Sequence, residues 1–311
     1  MTMAMPTEKD IARVKALGFL HNRGTDTFSA RAVSKNGTMT AQQLANLAEC
    51  AQKYGNGKVA FTSRLAAEVV GIPFEKIDEA CAYAAERGLY FGGTGAKIRP
   101  ITACKGTTCV YGNYDTQALA KELHEKYYVG WADVKLPHKF KIGIGGCPNS
   151  CMKPSLNDFG VEGRRAPNFE VSDCRGCKVC IIEKSCPSKA AHVENGKLVI
   201  GENCLQCGVC TGKCPFKAVR HESDVRYRIY VGGTWGKHTR MGTPLSRLVT
   251  REEIEPLLEK TMLWFKENAY QKERLGKAID RIGLEAFEAA VFSDDLLNRK
   301  AEILAQPVKT R

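Results

Sequence analysis

Apolar residues recur along this chain in two rhythms, three or four apart over some stretches and every second position over others, and their alternation lays out the elements. A short helix is expected over residues 7–23, with Thr7 as N-cap and Ile11, Val14 and Leu17 as its apolar face. Residues 27–32 read as a strand bearing Arg31. Residues 40–54 make a clearer helix: Thr40 and Gln43 form a capping box, Leu44, Leu47, Ala48 and Ala51 form the stripe, and Gly55 stops it. Residues 58–62 read as a strand that delivers Arg64 at its end. Pro73 opens a second helix, with Ile77, Ala80, Cys81 and Ala84 inward and Gly88 closing it, and residues 89–91 are strand-like again. Strand, helix, strand, helix, strand in succession predicts a small α/β layer with one helical face.

A helix over 115–128, with Leu119 and Leu123 inward, leads to the stretch around which the rest is organised, residues 136–151. Phe140, Ile142 and Ile144 share one face of a strand, so Lys139 and Lys141 share the other. Two neighbouring ammonium groups repel unless something anionic lies before them. The strand runs through Gly145 and Gly146 into a tight loop carrying Cys147 and Cys151. A cationic pocket feeding directly into a cysteine loop suits the reduction of an anion. Residues 157–163 are expected to lead from this core toward the surface. Residues 225–231 alternate as a strand and end in a glycine-rich basic loop, Gly232 to Arg240 with Lys237 near its tip, of the kind that cradles carboxylates or phosphates. Thr250 and Glu253 cap a further helix with Ile254, Leu257, Leu258, Met262 and Phe265 inward, and a helical tail runs to about residue 304.

Composition narrows the class. The 311 residues suggest two domains, and 43% apolar with 26% charged residues is ordinary for a soluble protein. No apolar run approaches the roughly 18 residues of a membrane span, and Glu8, Asp10, Arg13 and Lys15 interrupt the first segment, so a cytoplasmic protein is expected. The net charge of +12 would first suggest nucleic acid. The basic residues are spread out, however, with no Arg-rich helix or aromatic-basic repeat. A polyanionic cofactor with an anionic substrate accounts for the charge better.

Fourteen cysteines in a cytoplasmic chain argue against disulfides. Cys50 and Cys81 stand alone on helices, as buried structural thiols. The other twelve form three sets. Cys174, Cys177, Cys180 and Cys186 are followed by Cys204, Cys207, Cys210 and Cys214, with proline after each fourth cysteine. This is the repeat of a two-cluster bacterial ferredoxin, in which the fourth cysteine of each run ligates the other cluster. Cys174, Cys177, Cys180 and Cys214 are therefore assigned to one [4Fe-4S] cluster, and Cys204, Cys207, Cys210 with Cys186 to the second. Structural zinc does not use three cysteines at this spacing followed by Cys-Pro.

With Cys104 and Cys109 paired to Cys147 and Cys151, the chain resembles the siroheme-containing sulfite and nitrite reductases, nearest the anaerobic sulfite reductase C-subunit branch. The resemblance covers nearly everything from residue 27. It implies an α+β fold: a ferredoxin-like half domain (27–100) after an N-terminal helical arm (1–26), then a siroheme/4Fe-4S domain (101–168 and 222–311) interrupted by a two-cluster ferredoxin insert (169–221). It implies that the four cysteines hold a third [4Fe-4S] cluster and that Cys151 also ligates the siroheme iron. Arg31, Arg99, Lys139 and Lys141 correspond to the family's substrate-pocket cations. Arg64 resembles the arginine that holds siroheme carboxylates, and Lys237 and Arg240 lie on a loop like the family's second cofactor-contacting loop. The spacing from Cys104 to Cys109 is one residue shorter than the commoner form, Arg31 lacks the usual Pro-Gly-Gly, and Leu65 replaces Gln.

The implied activity is six-electron reduction of sulfite to sulfide, with nitrite as the same-class rival substrate. A siroheme-free electron-transfer protein with three clusters is the alternative from another class. The implied partners are a small oxyanion and electron-donor subunits or a free ferredoxin. Larger relatives carry the half-unit twice and this chain carries it once, so a homodimer or related hetero-oligomer is expected to complete each pocket.

Overall fold

The first helix is shorter than its periodicity suggests. Thr7 and Asp10 form a reciprocal capping box for Glu8–Ala16 (α1), but Gly18, at φ +102°, turns the chain back against Gly92. Phe19–His21 (β1) then pairs antiparallel with Thr27–Ala32 (β2). In the computed structural model, which describes residues 6–311, Val14 of α1 is buried in the same core as this sheet, so α1 is packed against the half domain and does not stand apart as an arm.

Ala41–Tyr54 (α2) keeps the expected capping box of Thr40 and Gln43. Val59–Phe61 (β3) and Ala67–Pro73 (β4) complete a four-stranded antiparallel sheet in the order β1-β2-β4-β3. Pro73 is corrected from helix opener to last strand residue. Its fixed φ suits extended backbone as well as a first turn, and the helix Ile77–Glu86 (α3) begins only after a 3-10 turn at Phe74–Lys76. Phe28, Leu47, Val69, Ile72 and Ile77 close the core between the sheet and the helices, each at most 1% exposed.

Thr102–Ala103 (β5) begins the second sheet, and Asp115 caps the helix Thr116–Leu123 (α4). A turn of π-helix, His124–Val129, extends α4. Ile142–Gly145 (β6) is the strand of the central stretch, and Phe159–Arg165 (β7) lies beside it. The expectation that residues 157–163 lead outward is overturned: β7 is buried between β6 and Val225–Val231 (β10, after three short insert elements: the helix Ile181–Ser185, α5, and the strands Ala191–Glu194, β8, and Lys197–Ile200, β9). Gly160 and Gly163 disguise it in the sequence, because glycine there admits Pro154 and Tyr114 against the strand. With Thr243–Pro244 (β11) the sheet runs β11-β10-β7-β6-β5, parallel through β5, β6 and β7 and antiparallel beyond.

Arg251–Asn268 (α6) has the expected capping box and lays Ile254, Leu258, Met262 and Phe265 on the second core. Four shorter helices finish the tail, ending with Lys300–Ala305. The insert has its own small core of Ile182, Ala191, Leu198 and Val219, with Cys174, Cys180, Cys186, Cys210 and Cys214 packed on it. Among the described residues no helix is long and apolar enough to cross a membrane.

Candidate anion pocket and cysteine cavities

Five of the seven basic residues singled out in the sequence line one cavity of about 210 Å3: Arg31, Arg64, Arg99, Lys139 and Lys141. Arg31 comes from β2, Arg64 from the turn between β3 and β4, Arg99 from the loop between the two sheets, and Lys139 from the segment leading into β6. Lys141 immediately precedes β6. The alternation read from the sequence holds, with Phe140, Ile142 and Ile144 fully buried and the two lysines turned to the cavity.

Arg64 and Arg99 are held by neutral groups. The Thr62 hydroxyl accepts the backbone N–H of Arg64 (3.3 Å) and of Ala66 (3.2 Å), fixing a turn in which Leu65 takes φ +58°. Arg64 then donates through Nη1 to Asn157 Oδ1 (2.7 Å) and through Nη2 to the carbonyls of Pro100 (3.1 Å) and Ile142 (3.3 Å). Arg99 donates to the carbonyls of Gly93 and Gly95, while its buried Nε has no partner. Arg31 alone of the five has a counter-ion, Glu68, with Nη2 to Oε1 at 2.7 Å. Among the described residues none of Arg64, Arg99, Lys139 and Lys141 forms an ion pair.

The electrostatic cost is visible in the titration. Burial pushes Arg64 and Arg99 down to about 10, and neighbouring arginines add to it. Burial, then the Arg64, Arg274 and Lys139 charges, bring Lys141 down to about 8. Lys139 is lowered in the same way. His138, which accepts the Lys139 N–H at Nδ1 (2.8 Å), falls to about 4 and is a neutral imidazole at pH 7.

Sequence reasoning missed the pair behind the pocket. Asp158 is fully buried, and its two oxygens accept Arg274 Nη2 at 2.8 and 2.7 Å and the Lys141 backbone N–H at 2.8 Å. Burial raises the Asp158 carboxyl even against Arg274. A lone Asp beside an Asn and a lone Arg over a hundred residues later carry no local pattern, so only the fold reveals them.

Cys104, Cys109, Cys147 and Cys151 line a second cavity, of about 550 Å3, together with Leu65 and Met152. Its four thiols surround a space; among the described residues no three His, Cys, Asp or Glu groups converge on a single ion. That donor set fits a cube, whose sulfur ligands sit at separate corners. This cavity and the basic pocket share no lining residue. They flank the same turn, Arg64 facing one cavity and Leu65 the other.

In the insert, Cys186, Cys204, Cys207 and Cys210 line one small cavity, the grouping that the crossed ferredoxin pattern assigns. Cys174, Cys180 and Cys214 pack on the insert core, and Cys177 is exposed beside them in sequence. The structure does not bring Lys237 or Arg240 to the basic pocket. Lys237 is exposed on its loop, and Arg240 is turned into the protein, donating to Asp280 (2.6 Å) and to the Gly232 carbonyl (3.2 Å).

Two segments of the chain each match a family model. A family model described as nitrite and sulphite reductase 4Fe-4S domain matches residues 94–300, and one described as nitrite/sulfite reductase ferredoxin-like half domain matches residues 21–87. The chain is 29% identical over 274 residues to a coenzyme F420-dependent sulfite reductase of Methanocaldococcus jannaschii, covering 87% of this chain but 43% of that protein. It is also 29% identical over 295 residues to the anaerobic sulfite reductase C subunit of Salmonella typhimurium, covering 86% of this chain and 84% of that relative. Thus it spans less than half of the first relative and most of the second. The crystal structure of dissimilatory sulfite reductase I superposes with a TM-score of 0.70 at 20% identity, over 90% of this chain and 71% of that one.

Proposed function

The chain belongs to the nitrite and sulphite reductase family, and from that premise we propose that it is a siroheme-dependent sulfite reductase of the anaerobic type. The observation that carries the reading is four cations, Arg64, Arg99, Lys139 and Lys141, sharing one cavity without a protein counter-ion. Such a set is stable only with an anion in front of it. A buried arginine Nε without a partner adds one more donor for that anion.

Arg31 and Arg99 orient the oxyanion through charge and the donors they have left, Arg31 Nη1 beyond its bond to Glu68 and the unpartnered Arg99 Nε. Lys139 and Lys141 hold its negative charge and give up protons as its oxygens leave as water. With a value near 8, Lys141 is charged at neutral pH yet gives its proton up far more readily than an ordinary lysine. Arg64 would hold a carboxylate of the cofactor, Cys104, Cys109, Cys147 and Cys151 would hold a [4Fe-4S] cluster, and Cys151 would also help to hold siroheme. When bound, siroheme would supply an iron able to bind the sulfur of the oxyanion and accept electrons. The two insert sets would hold two further clusters, supplying a one-electron relay from a donor subunit or ferredoxin. Lys237, exposed on its loop, is assigned to a cofactor carboxylate in the assembled site, and Arg240 shapes the same loop from within.

Because the basic pocket and the cysteine cavity are separate within one chain, we assign the complete site to two copies in a homodimer, or to this chain and a related partner, the cations of one facing the cofactor of the other. Steady-state rates of the anaerobically isolated holoprotein with sulfite and with nitrite test the activity. A higher kcat/KM for sulfite is expected; preference for nitrite would replace the substrate, and no turnover of either would remove the enzyme reading.

A further inference from the structure

The second insert set is tied to the Cys104–Cys151 set through a buried asparagine and the two arginines at the end of β7. Asn113 stands shortly after Cys109 and is 8% exposed. Its backbone N–H donates to the carbonyl of Gly146 (3.0 Å), the residue before Cys147. Its Nδ2 donates to the carbonyls of Gly163 (3.4 Å) and Cys207 (3.5 Å). Arg165, the last residue of β7, closes the bridge: its N–H donates to the Gln206 carbonyl (2.6 Å) and its Nη2 to the Asn113 carbonyl (3.1 Å). Gly208 makes the approach possible. It has φ +77°, and a Cβ there would sit 2.5 Å from Asn113 Oδ1 and 3.2 Å from Arg165 Cβ.

The first set has no such tie. The backbone bonds of Cys174, Cys180 and Cys214 stay within the insert, to Val171, Lys184, Lys197 and Lys217. Its neighbours face outward instead, with Val179 60% exposed, Ile181 46% exposed and Cys177 exposed.

Resting on the iron–sulfur reading above, we propose that this asymmetry fixes the order of electron flow: in at Cys174, Cys177, Cys180 and Cys214, on to Cys204, Cys207, Cys210 and Cys186, and across Asn113 to the Cys104–Cys151 set. Each crossing moves one electron, so one cube is oxidised by one electron as the next is reduced by one, and no atom or proton crosses the bridge. The reductant is a one-electron carrier that meets the exposed edge around Cys177. Asn113 is a positioning residue, with Arg165 and Gly208 as its supports.

The test is electron paramagnetic resonance of the fully reduced, anaerobically purified holoprotein, in which adjacent reduced cubes broaden one another's signals. The signal of the Cys104–Cys151 cube should stay broadened in Cys177→Ala and sharpen in Cys204→Ala. The reverse pattern, or no broadening in the unaltered protein, overturns the order. Asn113→Leu keeps every cysteine; with iron and sulfide content unchanged, freeze-quench spectra should show loss of the fast transfer from the insert cubes to the catalytic one, and an unchanged rate overturns the role of the bridge. The spectra need no tetrapyrrole. Lack of siroheme would therefore sink the enzyme reading, while the signal pattern would still decide the order of the cubes.

Discussion

Lys141 shows at the scale of one residue how burial loosens an ordinary ammonium group's hold on its proton. Its value of about 8 lies below the usual 10.5 because burial and three neighbouring cations disfavour the charge. Turnover that uses its proton should therefore fall as pH rises through about 8 in the substrate-free enzyme, and kcat/KM against pH measures this. The same shift bears on stability. Between about 8 and 10.5 the unfolded chain binds more protons at this lysine than the folded one, so its penalty is relieved and stability rises with pH over that window. Lys141→Met should flatten that rise in denaturant titrations. Lys141→Ala should keep every cofactor and lose most turnover; normal turnover would remove the lysine from the chemistry. The partner behind it is more sensitive. Asp158→Asn leaves Arg274 buried without its counter-ion, at a cost of about 3–5 kcal/mol, read from the denaturant midpoint. Lys139 and Lys141 were legible in the sequence because they alternate with apolar residues, whereas the pocket arginines stood out only through the family resemblance. Asp158 and Arg274 were not legible, since only the packing of the helix Leu275–Ile282 near β7 brings their segments together.

At the scale of elements, the strand β6 carries the construction: Lys141 precedes it, Cys147 follows it, and Gly143 lies at its middle. A Cβ on Gly143 would collide with the side-chain amide of Asn157, which holds Arg64. Gly143→Ala should thus cost about 1–3 kcal/mol through overpacking and weaken anion binding in the same variant, as heat of binding of sulfite would show. Elements with regular periods and capping boxes, α2 and α6 above all, were readable from the chain. Strands interrupted by glycine were not. Gly71 at φ +82° breaks the alternation of β4, and the glycines of β7 make a central strand look like an exit loop. The early end of α1 has the same cause, a glycine in a left-handed conformation where the apolar rhythm alone would have continued.

For the whole molecule, three sets of four cysteines were written into the spacing, and the three cores and the relative placement of the sets were not. Only the folded chain shows that the cations and the Cys104–Cys151 set open into different cavities. A site divided in this way predicts a dimer, or a hetero-oligomer with a related partner chain, in the active form. Sedimentation of the active species should give at least twice the chain mass of 34.2 kDa; full activity in a monomer would contradict the shared site. The visible absorption spectrum of freshly isolated anaerobic holoprotein, with iron and sulfide analysis, decides whether a tetrapyrrole iron docks beside an iron–sulfur cube in this protein. Siroheme bands together with iron and sulfide for three cubes are expected from the siroheme reading. Iron–sulfur absorption alone, with no tetrapyrrole, would contradict it and leave a carrier of electrons in its place.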